Sequence, residues 1–295
     1  MTPMKLAALA CLLVAACSVS AAPPGDPRVR YTVRFAPGAD ESALAKVVAA
    51  YEQRLGKLAG SAKFATDAKA NSIALELAFS DAAAEEQPER KLDPQSSPDA
   101  NVQLLRGGVV YTLLAAQGRL EFLRAHEAPP DGERERLDAW RKANPEARLE
   151  EFDTLAREQG GPLPGCVWRK HRKDGTLALL VRPAEARFRF GSADLAKAGF
   201  SQDEYGHPAV SFELQKERQK EFEDWTGSML QKGLAIVLDD EILTLATVNS
   251  RLPGKGILTG GASGFSAGEV KALVRLMRLS PLPLAPRSVA LELLR

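Results

Sequence analysis

Gly206-His-Pro-Ala-Val-Ser-Phe-Glu-Leu214, followed after one helical segment by Gly233-Leu-Ala-Ile-Val-Leu-Asp239, is the stretch on which the fold reading turns. Pro208 fixes its own φ and disfavours helix at His207, so the chain runs extended into Ala209–Leu214. Leu234 to Leu238 is an unbroken apolar run of strand length, the pattern of a buried strand. Between them, Gln215 to Gln231 sets Phe222, Trp225 and Met229 on one helical face. Strand, helix and strand in this order predict a mixed α+β architecture.

The pattern continues outward in both directions. Val29, Tyr31, Val33 and Phe35 alternate with polar residues, the signature of a half-buried strand. Pro37-Gly38 turns the chain, and Asp40 is placed to cap a helix carrying Leu44, Val47, Tyr51 and Leu55. Ile73, Leu75, Leu77 and Phe79 alternate again. Residues 81–100 are polar and read as a linker. A helix-and-strand pair follows, the strand being Leu120-Glu-Phe122. Residues 130–160 are highly charged and predict one or two short helices broken near Pro145. Lys173-Asp-Gly175 between strand-like runs is a hairpin signal. Val270, Leu273, Val274 and Met277 mark a late helix, and Val289, Leu291 and Leu293 a last strand.

Composition excludes several classes. The chain has 295 residues, 45% hydrophobic and 26% charged, with 39 Lys plus Arg against 38 Asp plus Glu. A net charge of +1 leaves no basic footprint for nucleic acid. Three cysteines and three histidines are poor material for a metal cluster or a disulfide framework. The amino terminus reads as an address. Lys5 precedes an apolar run, Leu6 to Ala16, too short to span a bilayer and suited to a secretory signal. Val14-Ala-Ala-Cys17 resembles a lipobox, which makes Cys17 a lipidation candidate; plain cleavage after Ala21 or Ala22 is the alternative. With Cys17 acylated, the mature chain holds Cys166 as its remaining thiol, read as a small buried hydrophobe.

The residues that suggest chemistry do not assemble into a catalytic set. Asp239-Asp240-Glu241 lies where a hairpin reverses, and neighbouring strand residues point to opposite faces, so a solvated turn is the simpler reading. Glycines 254, 256, 260, 261 and 264 lack the Gly-Lys-Ser/Thr ending of a phosphate loop. Cys166 and His171 have no third orienting residue, and His126 and His207 sit in polar surroundings. The expectation is a protein that is not an enzyme and needs no cofactor or metal.

An ordered series of residues resembles a known family. Gly206, Pro208, Phe212, Phe222, Thr226, Gly233 and Asp239, then Gly256, Gly260, Phe265, Glu269 and Pro283, resemble the first large periplasmic domain of SecD, an accessory subunit of the bacterial Sec protein-export translocase. Glu52 to Gly56, Ser72 to Leu77 and Gly118 to Phe122 resemble earlier parts of that domain. The resemblance implies a ferredoxin-like βαβ base carrying an inserted, strand-rich α+β head that contacts the emerging preprotein and moves relative to the base. The boundaries expected are a lipoprotein-type signal over 1–22, a base over 27–125 plus 265–295, a charged helical insertion over 126–160 and a head over 161–264. Asp240 stands where the family often has Gly, and Ala246 near a frequent Pro. The chain stops where the family's transmembrane bundle begins, so the expectation is an accessory without its own proton-driven motor.

The function expected is that of an exported, periplasmic-side accessory of protein translocation, held to a membrane through a lipid anchor. Its partners would be unfolded or emerging exported polypeptide, with SecF or the Sec channel, and no nucleic acid. The alternative is an envelope lipoprotein that reuses the scaffold as a binding module for another assembly role.

Overall fold

The structure is a computed structural model that describes residues 27–84, 98–106, 108–145, 147–260 and 264–294. Cys17 and the whole signal segment lie outside the described residues.

Strand β1 (Arg28–Arg34) buries Val29, Tyr31 and Val33, as its alternation predicts. Helix α1 (Glu41–Leu55) starts at Asp40, whose carboxylate accepts from the Ala43 amide at 2.7 Å, and ends at Gly56 with φ 59°. Strands β2 (Lys63–Asp67) and β3 (Ser72–Ala78) form an antiparallel hairpin. With the last strand, β12 (Ser288–Leu294), they make a four-stranded sheet in the order β12-β1-β3-β2, antiparallel throughout. This order is compatible with the ferredoxin-like base. Short helices α2 (Phe79–Ala84), α3 (Pro98–Leu105) and α4 (Val109–Ala115) follow β3.

Helix α4 serves two cores at once. Val110 and Leu114 join the base core with Tyr31, Tyr51 and Leu75, while Val109 and Leu113 join the core of the second half. One short helix therefore forms a common wall, its alternate faces buried on opposite sides.

The second half is built on a closed five-stranded barrel, order β10-β5-β6-β4-β9. Its strands are β4 (Leu120–Ala125), β5 (Cys166–His171), β6 (Leu177–Val181), β9 (Gly233–Leu238) and β10 (Glu241–Thr247). Leu123, Val167, Leu180, Ala235, Val237 and Ile242 fill the interior, so the barrel is a packed core and not a pore. On one flank lie α5 (Glu133–Ala143) and α6 (Leu149–Asp153), separated at Pro145 as predicted; Leu137 and Phe152 pack there on Trp168 and Leu179. On the other flank lie a three-stranded sheet, β11-β8-β7, and two helices. These are β7 (Leu195–Gln202), β8 (Pro208–Leu214) and β11 (Lys255–Leu258), with α7 (Lys216–Gly227) and α8 (Ala267–Arg278).

Two elements make their contacts across the expected boundaries. The strand Leu120–Ala125, grouped by sequence with the base, pairs with β6 and β9 in the barrel. Its Leu120, Phe122 and Leu123 are all buried, so both faces need cover, which a barrel wall provides. The late helix, also grouped with the base, lies on β7 and β8, and Arg278 Nε donates to the Ala198 carbonyl at 2.8 Å.

Candidate functional site

The sheet β11-β8-β7 has two unlike faces. In register across it stand Ala198, Phe212 and Gly256, then Val210 and Leu258; this side faces the core, with Phe200, in register with Val210, left exposed at the β7 margin. The Phe212 ring lies 5.5 Å from that of Phe122, which in turn meets Phe222 edge-on at 5.6 Å. Gly256 is required at this point, because a Cβ there would stand 2.9 Å from the Phe212 ring. The opposite row is Lys197 and Glu213, then Gly199, Ser211 and Ile257. Ile257 is 52% exposed; away from it, Phe200 on β7 and Tyr205 in the β7–β8 turn are 60% and 77% exposed. A shallow cleft of about 350 Å³ runs along Lys197, Ser211, Glu213, Lys255 and Ile257.

The two edges of this sheet also differ. On β7, the Ala198 carbonyl is taken by Arg278, and the Gly199 carbonyl accepts from Ser211 Oγ at 3.2 Å. On β11, the ladder recorded among the described residues is the one with β8, which leaves its outer edge open. An open edge beside an apolar residue and small neighbours can receive an extended chain by strand addition.

The motif residues hold the fold beneath this surface. Gly206 (φ 83°) makes the β7–β8 turn, where the Asp203 carboxylate accepts from the Tyr205 and His207 amides, and Pro208 opens β8. Phe222 and Phe265 are buried in the aromatic core. The buried Thr226 hydroxyl donates to the Phe222 carbonyl and accepts from the Leu252 amide at 3.0 Å. A Cβ at Gly233 would meet Ala125 at 2.8 Å, and one at Gly260 would meet the Gly264 backbone at 2.2 Å. Glu269 closes a capping box with Ser266 at the start of α8 and pairs with Arg172 at 3.1 Å. Pro283 is exposed between α8 and β12. Phe212, Phe222, Gly256 and Phe265 thus meet in one core, whereas the exposed Phe200, Tyr205 and Ile257 were not singled out by the sequence.

The Asp239–Asp240 turn corrects the sequence reading. It is a turn, but not a solvated one: Asp239 is buried, with φ 58°, and accepts from the Gly118 and Arg119 amides at 3.2 and 2.8 Å. Burial raises its pKa, against the pull of those two donors. Nearby, Arg54 of α1 is fully buried and donates to the carbonyls of Leu113, Ala116 and Gln117; burial pushes its pKa down to about 10. A Cβ at Gly118 (φ 87°) would stand 2.6 Å from that guanidinium. The junction between the two halves is therefore locked by polar groups, where the sequence suggested only a solvated hairpin.

Cys166 and His171 do not come together as a nucleophile–base pair. Cys166 and His171 stand at opposite ends of β5, about 16 Å apart at the rise of a strand, and burial pushes the Cys166 thiol up. No helix among the described residues is long and apolar enough to cross a membrane.

The comparisons with known proteins follow the same lines. Residues 171–284 match the family model described as SecDF, P1 head subdomain. That span holds the bare sheet, α7, β9, β10 and α8. This region is similar to the P1 head of SecDF. The protein translocase subunit SecD of Leptotrichia buccalis is 32% identical over 192 residues, covering 61% of this chain and 44% of the relative. The SecD subunit of Aquifex aeolicus is 36% identical over 111 residues, covering 38% of this chain and 21% of the relative. The chain therefore spans less than half the length of these curated SecD relatives. A crystal structure of SecDF in a super-membrane-facing form superposes over 90% of this chain and 30% of that one, at TM-score 0.49 and 19% identity.

Proposed function

We propose that this chain is an exported, non-enzymatic accessory of protein translocation that receives an extended segment of exported polypeptide on the sheet β11-β8-β7. The observation that carries the reading is the outer face of that sheet: Ile257 is exposed beside the open edge of β11, in register with the small, half-buried Ser211 and Gly199. An incoming strand would hydrogen-bond to the Lys255–Leu258 backbone, which takes any sequence, and rest alternate side chains against Ile257. Lys197 and Lys255 flank the face and oppose its pairing with a second copy of itself.

Kinship with subunits named for protein translocation supports the same reading and adds the Sec machinery, SecF included, as the partner class. In this account Cys17 carries the lipid that holds the protein on the periplasmic side of a membrane, and the protein works without a motor of its own. The motif residues are its structural frame, and Ile257 is its contact residue.

The test is photo-crosslinking in living cells from position 257 of the full chain. Recovery of many exported precursors, or of Sec subunits, is the expected result. Repeated recovery of one folded envelope protein would replace this function with that of a binding module on the same scaffold.

A further inference from the structure

Besides its apolar packing on the barrel, the charged helical insertion meets the barrel turn and the base segment together around Arg148, and two carboxyl groups face each other there. Glu150, in α6, and Asp240, in the β9–β10 turn, are within hydrogen-bonding reach of one another. Both also lie on one guanidinium: Arg148 Nε stands 2.9 Å from Glu150 and 3.4 Å from Asp240. The same Arg148 donates to the Pro286 carbonyl at 2.8 Å, in the segment that leads into β12. Arg287 of that segment reaches Glu151 at 3.3 Å. Insertion, barrel and base are therefore tied through one residue and its two acidic partners.

The surroundings account for the charges on every side. From the start of β4, Arg119 reaches Glu150 at 3.1 Å and Glu121 at 3.5 Å. From β5, Arg169 pairs with Asp153 of α6 at 2.5 Å, and Arg182, beyond β6, pairs with Glu121 at 3.2 Å. Asp239 and, from α1, Arg54 complete the set. Each of these cations is thus already engaged with an acceptor, and Arg148, Arg119, Arg169 and Arg54 with more than one. Asp240 Oδ1, by contrast, is buried and receives no hydrogen bond from any donor. Two carboxylates in contact, one with an orphaned oxygen, call for a proton between them.

We propose that Glu150 holds a proton against Asp240, and that this proton is a pH-sensitive latch fastening α6 to the barrel turn and the base. Burial first, and then Asp240, push the Glu150 carboxyl up to about 7. For an acid whose folded pKa is raised, the stabilisation is complete below the unfolded value near 4.5 and is lost as pH rises through about 7. The latch is closed in mild acid and released in mild alkali. A cleft of about 260 Å³, lined by Arg119, Arg148, Glu150, Glu151 and Arg287, provides the route by which solvent exchanges the proton.

Hydrogen exchange of the full chain, corrected for intrinsic rates, tests this at pH 6 and pH 8. Wild-type protection over 147–153 is expected to fall about tenfold between the two, the change that linkage to a midpoint near 7 requires. Glu150→Gln, which keeps a donor toward Asp240 at every pH, should show a flat response. Asp240→Asn removes the pair from the other side and should also abolish the fall, so the answer survives if one variant does not fold. Equal wild-type protection at both pH values, or the same tenfold fall in the two variants, would overturn the proposal.

Discussion

The molecule holds two antiparallel sheets that solve the same problem differently. Each buries one face, the base sheet with α1 and the head sheet with α8, and each leaves the other face outward. In the base, that outward face is laced by charge: Arg30 bonds to Glu76 at 2.9 and 2.6 Å, and Arg28 and Glu292 extend the ladder. In the head, the matching face carries one charged row, Lys197, Glu213 and Lys255 with Lys197 3.7 Å from Glu213, and beside it the uncharged row Gly199, Ser211 and Ile257. Water and cross-strand pairs already satisfy the first face. The second has an open edge beside one exposed apolar residue, Ile257, and on that difference the proposed function rests.

The comparison breaks first at the aromatic core under the head sheet. Phe222→Ala removes a ring packed against Phe122, Phe190 and Trp225 and should cost about 3–5 kcal/mol, read as a lower urea midpoint at unchanged slope. Next is the wall between the halves. Arg54→Met strands three carbonyls and should cost on the order of 3 kcal/mol in the same measurement. Asp239→Ala leaves the Gly118 and Arg119 amides without their acceptor, for about 1–3 kcal/mol. At the small end, Arg30→Gln on the exposed base ladder should leave the urea midpoint unmoved, because exposed ion pairs stabilise little. A large loss there would mean that the charged face is structural and the contrast drawn here is wrong.

Local periodicity made much of this fold readable. The alternation of Val29, Tyr31 and Val33 and the cap at Asp40 describe β1 and α1 without outside help. Pro145 and Asp174-Gly175 likewise mark a helix break and a hairpin. What escaped depends on distant partners. Leu120–Ala125 looks like any strand, and only its pairing with β9 puts it in the barrel. Leu195–Gln202 carries Ala, Lys and Gly where alternation would announce β7. Asp239 looked solvated because its donors, Gly118 and Arg119, are remote in sequence. The bare face escaped for the same reason: Gly199, Ser211 and Ile257 come from three strands and become neighbours only through register.

The most direct test is the affinity of the full chain for a fluorescently labelled, permanently unfolded polypeptide, followed by anisotropy. The account predicts that Ile257→Glu weakens binding about tenfold or more, by removing the apolar contact, while Arg30→Gln on the base sheet leaves it unchanged. Equal binding by wild type and Ile257→Glu, or an equal loss in both variants, would contradict the assignment of the head sheet as the polypeptide-binding face.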